Sequence, residues 1–247
     1  MPSVWEWELP DGASIDRRDM HRRLSRWLDD DHHVAAKARS WSLQPSGSAG
    51  RVVRLGLVDD TLAGRLLEHA DAYRRSARPT GDLAMPTPLK QVEAVTWPQL
   101  AAGRDRPGWT LEFVSPVTFR RGNRFVPWPS PSAVFGSLRA AWRRFGARHV
   151  GDLEVDLRLD PIVVTAISGA SQVERVVLHE RPNPSGERQP VTVTVGGFLG
   201  RVTYAVDGTI DPAAVDSLTR LAPYTGVGSY TTRGFGGVRV SHPNAPG

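Results

Sequence analysis

Apolar and polar residues alternate through VWEWELP, residues 4–10, which predicts a strand. The period then changes. Met20, Leu24, Trp27 and Leu28 recur at i, i+4, i+7 and i+8, so residues 14–30 read as a helix with an apolar stripe and Ser14 as its N-cap. Arg18, Arg22 and Arg26 form a second stripe beside the first. KARSWSL (37–43) and RVVRLGLV (51–58) read as strands, 59–77 as a helix with an acidic first turn, and PLKQVEAVTW (88–97) as a strand. The order in residues 1–98 is β-α-β-β-α-β.

Residues 97–108 carry Pro and Gly without strong periodicity, which places the connection to the second half there. WTLEFVSPVTF (109–119) predicts a strand that Pro116 limits or marks as an edge. A helix over 129–146 sets Val134, Phe135, Leu138, Trp142 and Phe145 on one face. Three β-rich stretches follow, at 153–169, 171–181 and 191–206, read as two strands plus an added hairpin. A helix over 211–222, capped by Asp211, and a last strand at 238–240 close the pattern. The doubled order predicts an α+β protein of two tandem ferredoxin-like domains, 1–98 and 109–247.

Composition narrows the chemistry. No apolar run approaches the roughly 18–20 residues a membrane helix needs. The acidic start MPSVWEWELPDG lacks the pattern of a signal peptide. There is no cysteine, which excludes disulfides and thiolate metal sites. A cytoplasmic protein is expected. The net charge is +5, and Lys37 and Lys90 are the only lysines among 31 basic residues. Arginine in clusters suits phosphate, because its planar fork matches an oxyanion. The clusters are Arg17 to Arg26 on the first helix, Arg120, Arg121 and Arg124 in one turn, and Arg139, Arg143 and Arg144 on a helix.

Between the last helix and the last strand lies TGVGSYTTRGFGGVRV, 225–240, with glycines at 226, 228, 234, 236 and 237 around Arg233. It lacks the Gly-Lys-Ser/Thr of a Walker loop, and it precedes a strand where a dinucleotide fingerprint would follow one. A bare-backbone surface whose N–H groups approach phosphates or bases is the functional alternative to a long turn.

This stretch resembles the glycine-rich loop of the RAMP superfamily of CRISPR-associated proteins. FVSPVTFRRGNRFVPWPSPSAVFGSLRAAWRRF (113–145) is similar to the C-terminal half of the CRISPR repeat-processing endoribonucleases, the sixth family of Cas proteins. The resemblance implies a protein that binds CRISPR repeat RNA and cuts precursor CRISPR RNA without metal. The ribose 2′-OH attacks the adjacent phosphate, leaving a 2′,3′-cyclic phosphate. It also implies a histidine between the first helix and second strand as acid or base. DDDHHVAAKARSWSL supplies His33, favoured over His32, with Lys37 following. Ala38, Arg39 and Leu43 depart from the family's usual residues. A metal reading of DDDHH fails because five consecutive residues cannot all converge on one ion, so no cofactor is expected.

For RNA contacts the order of expectation is Arg120, Arg121 and Arg124, then Arg233, then Arg18, Arg22 and Arg26. Arg139, Arg143 and the loop glycines Gly226, Gly228, Gly234 and Gly236 complete the set. His21, on the Arg-rich helix, is read as facing RNA or solvent. The expected partner is CRISPR repeat RNA, with effector-complex subunits or a second copy of the chain as further options and no membrane. The competing reading is a non-catalytic RAMP subunit that holds guide RNA in an effector complex.

Overall fold

The computed structural model describes residues 1–8, 16–29, 39–46, 52–76, 89–153, 161–184 and 186–242. In the first unit β1 (Ser3–Glu8), α1 (Arg17–Leu28), β2 (Trp41–Ser46), β3 (Val52–Leu57), α2 (Asp60–Ser76) and β4 (Lys90–Ala94) follow in turn. The sheet order is β2-β3-β1-β4, antiparallel throughout, as a ferredoxin-like unit requires. Strand alternation divides the side chains between two destinations. Trp5, Trp7, Trp41, Leu43, Val53, Leu55 and Leu57 meet Met20, Leu24 and Leu28 of α1, and Leu62 and Leu66 of α2, in one core. Helix α1 begins at Arg17, with the Asp16 carboxylate accepting from the Arg18 amide at 2.8 Å. The cap expected at Ser14 lies outside the described residues.

The second unit opens with α3 (Trp97–Ala101), where the sequence suggested an irregular connection. Five residues are too few to show a helical period. The readable signal was the capping box of Thr96 and Gln99 with Pro98 in the first turn. Then come β5 (Gly108–Val117), the small hairpin β6 (Phe119–Arg121) and β7 (Arg124–Val126), α4 (Pro131–Ala141), a π-helical turn (Trp142–Gly146) and α5 (Ala147–Val150). After them stand β8 (Ile162–Pro182), β9 (Arg188–Val206), α6 (Pro212–Thr225), a 3-10 turn (Thr231–Arg233) and β10 (Val238–Ser241). The sheet order is β10-β5-β9-β8, the same arrangement as in the first unit.

Residues 154–160 lie outside the described residues, but 162–169 and 171–181 do not form separate strands with an added hairpin: β8 runs unbroken through Gly169 for 21 residues, paired along its length with β9. Gly169 pairs with Gly200, and a Cβ on either would lie within 2.3 Å of the partner strand's backbone. The glycine that looked like a strand end is thus a close approach inside a strand. The hairpin that is added is β6–β7, at the turn that carries Arg120, Arg121 and Arg124.

Helix α6 joins the two units. Its residues from Ala214 to Tyr224 are almost all buried, mostly in a core shared with Trp109, Phe113, Phe135, Trp142 and the first unit's Val4 and Val58. The last carbonyls of a helix lack intrahelical donors. Here the opposite face of β2 supplies them: Gln44 Nε2 donates to the Pro223 carbonyl at 2.7 Å and Ser42 Oγ to that of Tyr224 at 3.2 Å. Buried Asp216 accepts from Trp109 Nε1 at 2.9 Å and from the Arg104 amide at 3.0 Å, which ties the 102–108 segment to the same helix.

Candidate active site

The glycine-rich stretch after α6 is folded inward. The amides of Val227, Gly228, Ser229, Gly236 and Gly237 donate respectively to Gly236 O, Ser137 Oγ, Thr118 O, Pro116 O and Ser115 Oγ, all at 2.8–2.9 Å. Gly236 has φ 65°, and a Cβ there would sit 1.9 Å from the Val227 carbonyl oxygen. The bare backbone therefore serves close packing, and these N–H groups are not available to phosphates. What the stretch presents outward is the 3-10 turn with its flanks: Tyr230, held in the left-handed region at φ 61°, Thr231, the Thr232 carbonyl and Arg233.

A hollow opens on each side of this turn. The larger, about 770 Å³, is walled by α1 (Arg18, His21, Arg22, Ser25, Arg26), by Asp29 and Arg39, by Val177 to Glu180 of β8, and by Arg188 and Arg233. The smaller, about 560 Å³, is lined by Arg120, Phe125, Ser137, Phe145 and the 225–232 stretch. Arg39 lines both. The stripe Arg18, Arg22 and Arg26 faces the larger hollow because Met20, Leu24 and Leu28 take the opposite side of α1 into the core.

Several of these cations are held in place. Arg233 donates Nη1 to the Val177 carbonyl at 2.7 Å and Nη2 to that of Leu178 at 2.9 Å. Arg18 pairs with Glu180, and Arg22 with Asp19 at 3.3 Å. Asp29, an anion at the C-terminal end of α1 where the helix dipole disfavours it, is compensated by Arg39 and by Trp41 Nε1, which donates at 3.0 Å. Burial lowers the pKa values of Arg39 and Arg233 from the usual arginine range.

His21 is the titratable group at this surface that sequence reasoning underrated. Its ring stacks on buried Trp41 with centroids 5.8 Å apart, and its Nδ1 lies 2.8 Å from the Thr232 carbonyl oxygen. Burial first, then the charge of Arg233, push its pKa down to about 4. The one sequence clue was its position at the border between the apolar stripe and the arginine stripe.

The other expected residues divide. His32, His33 and Lys37 lie outside the described residues. Arg120, Arg121 and Arg124 are exposed on the β6–β7 hairpin, with Arg120 reaching the smaller hollow. Gly226 and Gly228 line that hollow as well. Arg139 and Arg143 line neither hollow, and Arg143 pairs with Asp152 at 3.0 Å. Among the aromatic residues, Phe235 is buried with Val176 and Val195, whereas Trp128 is 52% exposed.

Two ferredoxin-like units, joined through a buried helix and carrying a glycine-rich turn beside an arginine-lined hollow, define a RAMP-type protein. The family profile of the CRISPR-associated endoribonuclease Cas6 matches residues 111–238, from β5 into β10. The chain belongs to that family. A curated Cas6 endoribonuclease of Mycobacterium tuberculosis is 27% identical over 137 residues, 55% of this chain and 39% of that protein. The chain thus spans about 39% of the length of that relative. Among solved structures, a Cas6 product complex aligns with TM-score 0.74 over 98% of this chain and 100% of that one, at 18% identity. Thermus thermophilus Cas6 aligns with TM-score 0.70 over 98% of both chains, also at 18% identity. A Cas6-related protein of Pyrococcus furiosus gives 0.56 at 11% identity, over 98% and 99%. No helix among the described residues is long and apolar enough to cross a membrane.

Proposed function

We propose that this chain is a metal-independent endoribonuclease that binds CRISPR repeat RNA and cuts precursor CRISPR RNA into guide units. In that reaction the 2′-oxygen loses its proton and bonds to the adjacent phosphorus. The P–O5′ bond breaks and the 5′-oxygen gains a proton. The products are a 2′,3′-cyclic phosphate and a 5′-hydroxyl. The observation that carries this reading is the larger hollow: it gathers Arg18, Arg22, Arg26, Arg39 and Arg233 from three parts of the chain into one wall with the imidazoles of His21 and His179. Fixed guanidinium groups stabilise a dianionic phosphorane where charge develops, a task a metal ion performs in other nucleases. Family membership supports the substrate class, and one of the structural neighbours is itself a product complex.

In this reading residues 1–98 contribute α1 and the segment with His32, His33 and Lys37. Residues 109–247 contribute the glycine-rich turn and the β6–β7 hairpin. One of His32 and His33 handles a proton, His33 being preferred, and Lys37 assists.

The test is a gel assay on labelled repeat RNA in excess EDTA, with wild type beside His32→Ala and His33→Ala. A single cut ending in a cyclic phosphate, lost in one variant that still binds, supports the reading. Tight binding of the correct repeat without any cut by wild type would favour a guide-RNA-holding RAMP subunit.

A further inference from the structure

We infer that His21 is a second proton-handling group of the cleavage site, and that its Nε2 receives the proton of the attacking 2′-hydroxyl. The inference rests on the endoribonuclease reading above. Its basis is the fixed tautomer of the ring and its place in the wall of the larger hollow. A carbonyl oxygen can only accept, so the 2.8 Å contact with Thr232 places the proton on Nδ1. The lone pair is then on Nε2, which has no hydrogen-bond partner among the described residues and is not sealed away from solvent.

The ring is positioned from three sides. Met20 and Leu24 anchor its helix in the core, Trp41 stacks on its face, and the Thr232 carbonyl holds its edge. Trp41 is fixed in turn by Asp29, which also pairs with Arg39. This is the arrangement of a base with an orienting group behind it, with a carbonyl in place of a carboxylate. The carbonyl orients the ring, while burial and the charge of Arg233 disfavour the imidazolium. The ring is therefore neutral, with its lone pair available, until substrate arrives. A phosphate bound by Arg39 and Arg233 brings negative charge to the same hollow. That charge favours the imidazolium formed as O2′ bonds to phosphorus. The leaving 5′-oxygen takes its proton from His32 or His33 or from water, and His21 returns its own proton to solvent.

The role is separable from a structural one because Asn can keep the anchor and lose the base. The amide nitrogen of Asn occupies the place of Nδ1 and can still donate to Thr232, but nothing replaces Nε2. Single-turnover cleavage of repeat RNA and binding of the uncleavable 2′-deoxy repeat are measured for wild type, His21→Asn and His21→Ala, the last with and without imidazole. The expected result is binding by His21→Asn within about threefold of wild type, cleavage slower by roughly 10²–10⁴-fold, and partial rescue of His21→Ala by imidazole. Cleavage by His21→Asn at the wild-type rate overturns the inference. So does a loss of cleavage that tracks a loss of binding in both variants without rescue, which would make His21 a structural residue. Failure of wild type to cut the correct repeat is a different result: it removes the endoribonuclease reading, and this inference with it.

Discussion

Helix α1, and α4 with the π-helical turn that follows it, occupy equivalent places in the two units, and both carry arginines beside an apolar face in the core. They do different work. The α1 stripe lines the larger hollow with His21, Arg39 and Arg233. Arg139 and Arg143 of the second unit line neither hollow; what α4 and the π-helical turn offer to the glycine-rich turn is Ser137, Ala140, Ala141 and Phe145. Ser137 Oγ accepts from the Gly228 amide at 2.9 Å, so this surface positions the turn. The two arginine clusters look alike in sequence. What separates them is which helix face the turn leaves open.

That contrast can be broken most sharply through activity. Arg39→Ala and Arg233→Ala should each slow single-turnover cleavage of repeat RNA by about 10²–10³-fold, the usual cost of removing one preorganised charge donor. Arg143→Ala should stay within about twofold of wild type. Equal losses in all three would erase the distinction between the helices.

The next effect is on stability. The folded-state pKa of His21 is about 4, below the ordinary 6.5. The unfolded chain therefore binds this proton first, and folding stability falls as pH drops from about 6.5 towards 4. The change is on the order of 3 kcal/mol, is complete near pH 4, and is absent above pH 7. Arg18, Arg22, Arg26, Arg39, Arg188 and Arg233, with Asp29 and Glu180, are the charged groups around the same hollow, and His179 is its other imidazole. Urea midpoints at pH 7 and pH 4.5 should converge for wild type and His21→Asn if the buried imidazole is the cause. Parallel shifts in the two proteins would assign the acid sensitivity elsewhere.

The smallest effect sharpens the comparison by salt. Arg18→Ala, Arg22→Ala and Arg26→Ala together should make the slope of log binding constant against log salt shallower by about 2, at roughly 0.7–0.9 per phosphate contact. The Arg139→Ala, Arg143→Ala pair should leave the slope unchanged. A slope change for the second pair alone would place the RNA on the other face.

The periods of 2 and 3.6 made most of the fold legible, and the doubled strand order followed from them. Local chemistry that conflicts with the pattern was harder to read. Gly169 interrupts the apolar alternation of β8, yet the strand continues because Gly200 faces it. Helix α3 is shorter than two turns and shows only its cap. The site was legible as clusters of charge but not as geometry. His21 is recognisable only once Thr232, 211 residues away, supplies the carbonyl that fixes its ring. Asp29, at the end of α1 that the helix dipole disfavours, is compensated by Arg39 and Trp41, residues that the linear pattern does not place against it. The glycine-rich stretch looked like a phosphate cradle because sequence shows where backbone is bare, but not which way its amides point.

The capping of α6 by Ser42 and Gln44 has a consequence for how the protein is made. These two side chains point away from their own unit's core, towards carbonyls that leave the ribosome some 180 residues later. Until residues 211–225 arrive, that face of the first sheet has buried polar groups in prospect and nothing to bond them. The hollow that His21 and Arg233 share cannot exist on a nascent chain either. Assembly of the larger hollow is thereby coupled to completion of translation: an unfinished chain carries the arginines of α1 without the turn that faces them.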